Sequence, residues 1–265
     1  MLFLADDLIG TATLDKTSGT IVPELPLSNL KLLSKARVTR TLSGGSLVIT
    51  GTLSLSSSVN GFVIGQHNFL EDTTYQLELY NNITLSGTPV AFGGSGQKTV
   101  TAEQQAINTQ EYQYNLAIWF PSVLNIGSFR LTIYNGTMPY FQIGRLFMGE
   151  AIDMSIGVSF GHNLYWSENS NQYRTEAGTL RTDIYIPNKI IEFSLGTIYE
   201  RERSNIQRTL SSIGKRKEFF ISLFPQDCIP SRELDYSGIV KMTKVPKYPE
   251  FAPNLYSAKY IVEEI

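Results

Sequence analysis

Few residues in this chain have the type and spacing that chemistry needs. The two histidines, His67 and His162, both precede asparagine, in IGQHNF and FGHNLY. A Ser-His-Asp site needs only one imidazole, and Ser and Asp are plentiful, but the G-x-S-x-G turn that exposes a nucleophilic serine is missing. Each histidine instead follows an apolar strand end, where a neutral imidazole bonded to backbone is the ordinary arrangement. Neither H-x-x-x-H nor C-x-x-C occurs, and Cys228 is the only cysteine, which rules out an intrachain disulfide.

The paired carboxylates Asp6/Asp7, Glu71/Asp72 and Glu263/Glu264 are adjacent. Neighbours on a strand point to opposite faces, so adjacency alone assembles no acid/base pair. AFGGSGQKT (91–99) has the look of a phosphate loop, but Gln97 stands between Gly96 and Lys98, where the motif needs Gly directly before Lys. The sequence therefore leads us to expect no catalytic residue, no metal ligand and no cofactor.

Ligand contact has better candidates. Tyr165, Trp166 and Tyr173 flank the polar stretch SENSNQ (167–172). Tyr and Trp on loops can stack on sugars or anchor a protein partner; the alternative is core packing, which is the reading for Trp119 in LAIWF.

The elements that would position these residues are mostly strands. SLVITGTLSL (46–55), NGFVIGQ (60–66), TYQLELY (74–80), YNLAIWF (114–120), FRLTIYN (129–135) and PYFQIGRLFMGE (139–150) are β-branched, aromatic and bounded by Gly, Asn or Pro. TYQLELY alternates, with Tyr75, Leu77 and Leu79 on one face; LAIWF is continuous and so more deeply buried. Residues 84–112 break the pattern as a long polar excursion between two strands. From about residue 153 come an aromatic irregular stretch, two strands (179–187 and 189–196), a charged segment and three strands (217–225, 239–245 and 255–264).

The charged segment holds nine of the chain's 46 acidic and basic side chains between Glu200 and Glu218. Thr197 and Glu200 fit a capping box, Tyr199, Ile206, Leu210 and Ile213 a helical stripe, and Gly214 the residue after the helix. Acidic side chains gather at its start and basic ones past its end, complementing the helix dipole. This is a solvated helix rather than a nucleic-acid patch.

The totals agree. The 265 residues are 42 % hydrophobic and only 17 % charged, against roughly 25 % charged in ordinary soluble domains. A net charge of −2 gives no general attraction to nucleic acid. MLFLADDLIG lacks the basic start of a signal peptide, and no run reaches the ~18 apolar residues of a membrane helix, so direct membrane insertion is not expected.

LSNLKLL (27–33), SLVITGTL (46–53), VNGFVIGQHNF (59–69) followed by TYQLELYNN (74–82), and YFQIGRLFMGEAI (140–152) make the first part resemble the galactose-binding-like, discoidin-type jelly roll of tailed-bacteriophage virion proteins. Residues 180–227 and the closing YIVEEI (260–265) look like the tail-tip and baseplate proteins of such phages. No lectin loop set could be matched. The resemblance implies a structural virion protein without enzymatic activity, assembled in the host cytoplasm as a symmetric homo-oligomer and packed against other phage tail proteins.

The expected fold is mainly β: a β-sandwich over 1–152, then a smaller α+β domain over 153–265 with one helix on a sheet. The alternative function is a carbohydrate- or receptor-binding module that meets a host-surface glycan through Tyr165, Trp166 and Tyr173.

Overall fold

The computed structural model describes residues 1–32, 37–90, 98–100, 115–154, 157–167, 170–183, 187–225 and 230–265. The chain forms two compact units, Met1–Ser155 with Phe219–Ile239, and Ile156–Glu218 with Val240–Ile265. Phe219–Ile239 returns to the first unit, so each unit is built from two pieces of chain, where the sequence reading divides the chain once, after residue 152.

In unit 1 the chain runs through β1 (Leu2–Leu4), β2 (Thr13–Ser18), a 3-10 turn (Leu27–Lys31), β3 (Thr39–Arg40), β4 (Gly45–His67), β5 (Thr74–Tyr80), β6 (Lys98–Thr99), β7 (Leu116–Asn135), β8 (Gln142–Gly149) and β9 (Ala151–Asp153). Four expected strands fuse into two, because 46–55 and 60–66 both lie in β4, and 114–120 and 129–135 both lie in β7.

The register of β4 on β7 shifts between Thr52 and Ser57 and again between Val59 and Gly61. Such irregularities bend a strand and let it serve two sheets. The first half of β4 pairs with β2 and the second half of β7; its last third pairs with β8 and the start of β7. This makes an antiparallel sandwich ordered β3-β8-β4-β7-β5-β6, with β2 on β4. Of the 84–112 excursion, Lys98–Thr99 pairs with β5, while 91–97 and 101–112 lie outside the described residues.

The sandwich core follows from alternation. Leu47, Ile49, Tyr75, Leu79, Phe129, Leu131 and Ile133 are buried on the inner face. Phe62 meets Phe129 edge-on, with ring centroids 5.4 Å apart. A Cβ on Gly51 would lie 2.0 Å from the Phe129 ring, so only glycine lets that ring pass. Trp119 lies against the glycine at 61 and 5.9 Å from Phe220, and its indole N–H donates to Glu233 Oε1 at 2.8 Å. Trp119 therefore packs as expected, with its polar end satisfied.

Unit 2 contains β10 (Asn163–Ser167), β11 (Asn171–Arg174), β12 (Leu180–Asp183), β13 (Asn188–Tyr199) and α1 (Glu200–Ile213). After α1 the chain makes β14 (Phe219–Ser222), α2 (Pro230–Asp235) and the start of β15 (Ser237–Met242) in unit 1, then closes unit 2 with β16 (Glu250–Ala252) and β17 (Leu255–Glu264). Antiparallel β13 lies between β10 and β17, and Phe193 stacks on Tyr260 with centroids 4.9 Å apart.

Helix α1 lays Ile206, Leu210 and Ile213 on β13 and β17. Its start differs from expectation. Thr197 still belongs to β13, because Ile198 and Tyr199 keep pairing with Tyr256 and Leu255. Glu202, not Glu200, accepts the backbone N–H of the residue before the helix, Tyr199, at 3.4 Å. Tyr199 is half exposed and leaves the apolar stripe, whereas Gly214 takes the expected position past the helix with φ +56°. Among the described residues no helix is long and apolar enough to cross a membrane.

Candidate functional site

Several side chains of reactive type are engaged by the fold. His67 is fully buried; its Nδ1 accepts the N–H of Phe69 at 3.2 Å and its ring stacks on Phe69 at 4.5 Å. Burial lowers the imidazole pKa to about 3, so it is neutral at physiological pH. The neighbouring Asn68 donates to Tyr140 O and accepts from Gln142 N–H, tying the turn after β4 to the entry of β8. The His-Asn turn of unit 1 is thus a structural clasp. His162 lies in unit 2, in the irregular chain before β10.

Two of the three carboxylate pairs also separate, while Glu71 and Asp72 are both exposed. Asp7 accepts from Ile9 N–H at 3.0 Å and Arg145 Nη2 at 2.8 Å, while Asp6 is exposed. Burial pushes the Asp7 carboxyl above its ordinary range, with the Arg145 charge pulling the other way. Glu263 accepts from Asn188, and Glu264 pairs with Lys189 at 3.8 Å. Among the described residues no group of three or more His, Cys, Asp or Glu could hold a metal ion. The phosphate-loop candidate lies outside the described residues except for Lys98 and Thr99.

Tyr165, Trp166 and Tyr173 are all exposed. Tyr165 and Trp166 are consecutive on β10, opposite Ile190 and Lys189. Consecutive strand residues project to opposite faces, so these two rings form no common platform. Tyr173 stands on a separate two-stranded ribbon, β11–β12, opposite Arg181.

A better-built surface lies on the outer face of unit 1. Residues opposite one another in an antiparallel sheet share a face, and the register puts four rows there. Ser46, Tyr134 and Thr74 make the first row, and Val48, Thr132 and Gln76 the second. Thr50, Arg130 and Glu78 make the third, and Thr52, Ser128 and Tyr80 the fourth, of which Thr50, Ser128 and Tyr80 are buried, Ser128 donating to Asn82 O.

Arg130 Nη1 and the Tyr80 hydroxyl donate to Glu78 Oε2 at 3.2 and 3.1 Å, and Gln76 Nε2 donates to Glu78 Oε1 at 3.5 Å. Arg130 Nη1 also donates to the Tyr80 oxygen at 3.1 Å. Tyr134, 54 % exposed, stands two rows away, about 13 Å along the strand at 3.3 Å per residue. The face thus offers the part-exposed Gln76, Glu78 and Arg130, held from below by the buried Tyr80 hydroxyl, together with an open aromatic ring. No motif in the sequence marks it, although the alternation of TYQLELY that sends Tyr75, Leu77 and Leu79 inward also sends Gln76 and Glu78 outward.

No protein-family model and no curated protein matches the chain. Similar solved structures include the family 32 carbohydrate-binding module of C. perfringens NanJ in complex with galactose, 16 % identical over 57 % of this chain and 100 % of that one, TM-score 0.41. A chitosan-binding module from a Paenibacillus sp. IK-5 chitosanase/glucanase is 17 % identical over 55 % of this chain and 99 % of that one, TM-score 0.37. A Ruminococcus gnavus GH29 fucosidase in complex with fucose is 11 % identical over 56 % of this chain and 27 % of that one, TM-score 0.42. These likenesses assign no ligand to this chain and lend nothing to a phage tail.

Proposed function

We propose that the chain is a non-catalytic carbohydrate-recognition protein whose glycan platform is the outer face of β4, β7 and β5. The carrying observation is the Glu78–Arg130–Tyr80–Gln76 cluster on the same face as the exposed Tyr134. Sugars offer hydroxyl groups for fixed donors and acceptors, and C–H faces for an aromatic ring. A cluster held together before binding loses little freedom when a ligand arrives. An array of neutral oligosaccharides tests this reading: binding to the intact chain is expected, with loss in Tyr134→Ala and retention in Trp166→Ala. Binding lost only in Trp166→Ala would move the site to β10.

A second reading is a structural part of a phage tail tip or baseplate, acting through subunit packing. The β11–β12 ribbon favours it. Every β11 residue is exposed, the ribbon pairs with no third strand among the described residues, and Tyr173 and Leu180 lie bare. A lone two-stranded ribbon is marginal in water and gains from a neighbour's surface. Mass spectrometry of purified virions, with sedimentation of the protein alone, tests this reading. Absence from virions and a monomer at high concentration would reject it.

A further inference from the structure

Unit 2 contains a cleft of about 540 Å³ that none of the sequence motifs marked. Its floor is the β13–β17 sheet, where Ser194 lies opposite Lys259. Its wall is the six-residue arch 244–249. One foot of the arch is fixed where Thr243 N–H and hydroxyl both donate to Ile261 O. The other is fixed where Ser257 N–H donates to Pro249 O at 3.1 Å. The feet stand four residues apart on β17. Tyr248 adds a hydroxyl–hydroxyl bond to Tyr260 at 3.2 Å, and Pro246 is buried within the arch. Two prolines fix φ along it, so the cleft is held open by built structure.

The charge of the cleft is lopsided. Lys244, Lys247 and Lys259 line it. Lys259 is paired with Glu192. Lys244 and Lys247 have no carboxylate within ion-pair distance among the described residues, although acidic residues outnumber basic ones in the whole chain. Serine hydroxyls from Ser194 and Ser257 share the lining with Val245 and the prolines. The volume lies within the ~300–1,000 Å³ range of small-molecule sites and exceeds what a bare inorganic ion fills.

We propose that this cleft binds an acidic saccharide, its carboxylate set between Lys244 and Lys247 and its hydroxyl-bearing ring against Ser194 and Ser257. The proposal goes beyond the unit 1 platform and stands or falls separately from it, because none of its residues belongs to that face.

Titration calorimetry of the full chain with oligogalacturonate, with its methyl ester and with inorganic phosphate tests it. Oligogalacturonate should bind and weaken with added salt, while the uncharged ester should not bind. Lys244→Gln/Lys247→Gln should lower affinity about tenfold, two partly exposed charge contacts together being worth roughly one decade. Tyr134→Ala should leave this binding unchanged. Equal binding of ester and acid, unaltered affinity in the double variant, no oligogalacturonate binding, or inorganic phosphate binding as tightly as the saccharide would each overturn the assignment.

Discussion

Glu78 and Arg130 face one another across β5 and β7 on the outer surface of unit 1, with Nη1 3.2 Å from Oε2. Both side chains are part-exposed, and pairs of that kind contribute about 0–1 kcal/mol to stability. A pair that contributes so little to folding, yet is tied to Tyr80 and Gln76, suits ligand contact. Arg130→Met should lower the melting temperature by no more than a few degrees and weaken saccharide binding at least tenfold, read by calorimetry beside thermal unfolding. A large loss of stability with unchanged binding would assign the pair to the fold.

The buried pair Asp7–Arg145 should behave in the opposite way. Arg145 belongs to β8 and Asp7 to the turn after β1, and both side chains are largely covered. Arg145→Met strands a buried carboxylate and should cost about 3–5 kcal/mol in urea unfolding. Converting both members, Asp7→Leu with Arg145→Met, should recover much of that loss.

His67 supplies a pH dependence. Its imidazole titrates near 6.5 when unfolded and at about 3 when folded, so below pH 6.5 the unfolded chain binds more protons. The stability it confers is complete above pH 6.5 and falls by about 1.4 kcal/mol per pH unit below it, until near pH 3. Asp7, with its carboxyl raised by burial, has the opposite sign and adds stability as pH falls through its own range. The rise of stability with pH below 6.5 should be smaller in His67→Gln than in the parent chain, read by urea unfolding across that range.

Gly51 permits the Phe129 ring to cross β4. Gly51→Ala should cost about 1–3 kcal/mol through overpacking, seen as a lower urea midpoint with an unchanged slope.

What could be read from the sequence was local. Alternation located β5, strand-forming residues between turn signals located β8, β13 and β17, and the Ile206–Leu210–Ile213 stripe with Gly214 located α1. The helix start was misjudged because pairing with β17 carries β13 through Thr197, and that contact comes from 58 residues further along the chain. The same reason hides the candidate face. Gln76 and Glu78 are visibly on the polar side of their strand, but their meeting with Arg130 depends on register, which one sequence does not state. The return of Phe219–Ile239 to unit 1 is equally non-local: Phe219 lies 6.0 Å from Phe3, ring to ring.

The most direct measurement is amide chemical-shift mapping of the intact chain, titrated with a neutral oligosaccharide selected on the array. The account expects saturable shifts clustered on Thr74–Tyr80 and Ser128–Asn135, abolished by Tyr134→Ala. Shifts centred on Tyr165, Trp166 or Tyr173, or no saturable shift with any saccharide, would contradict it.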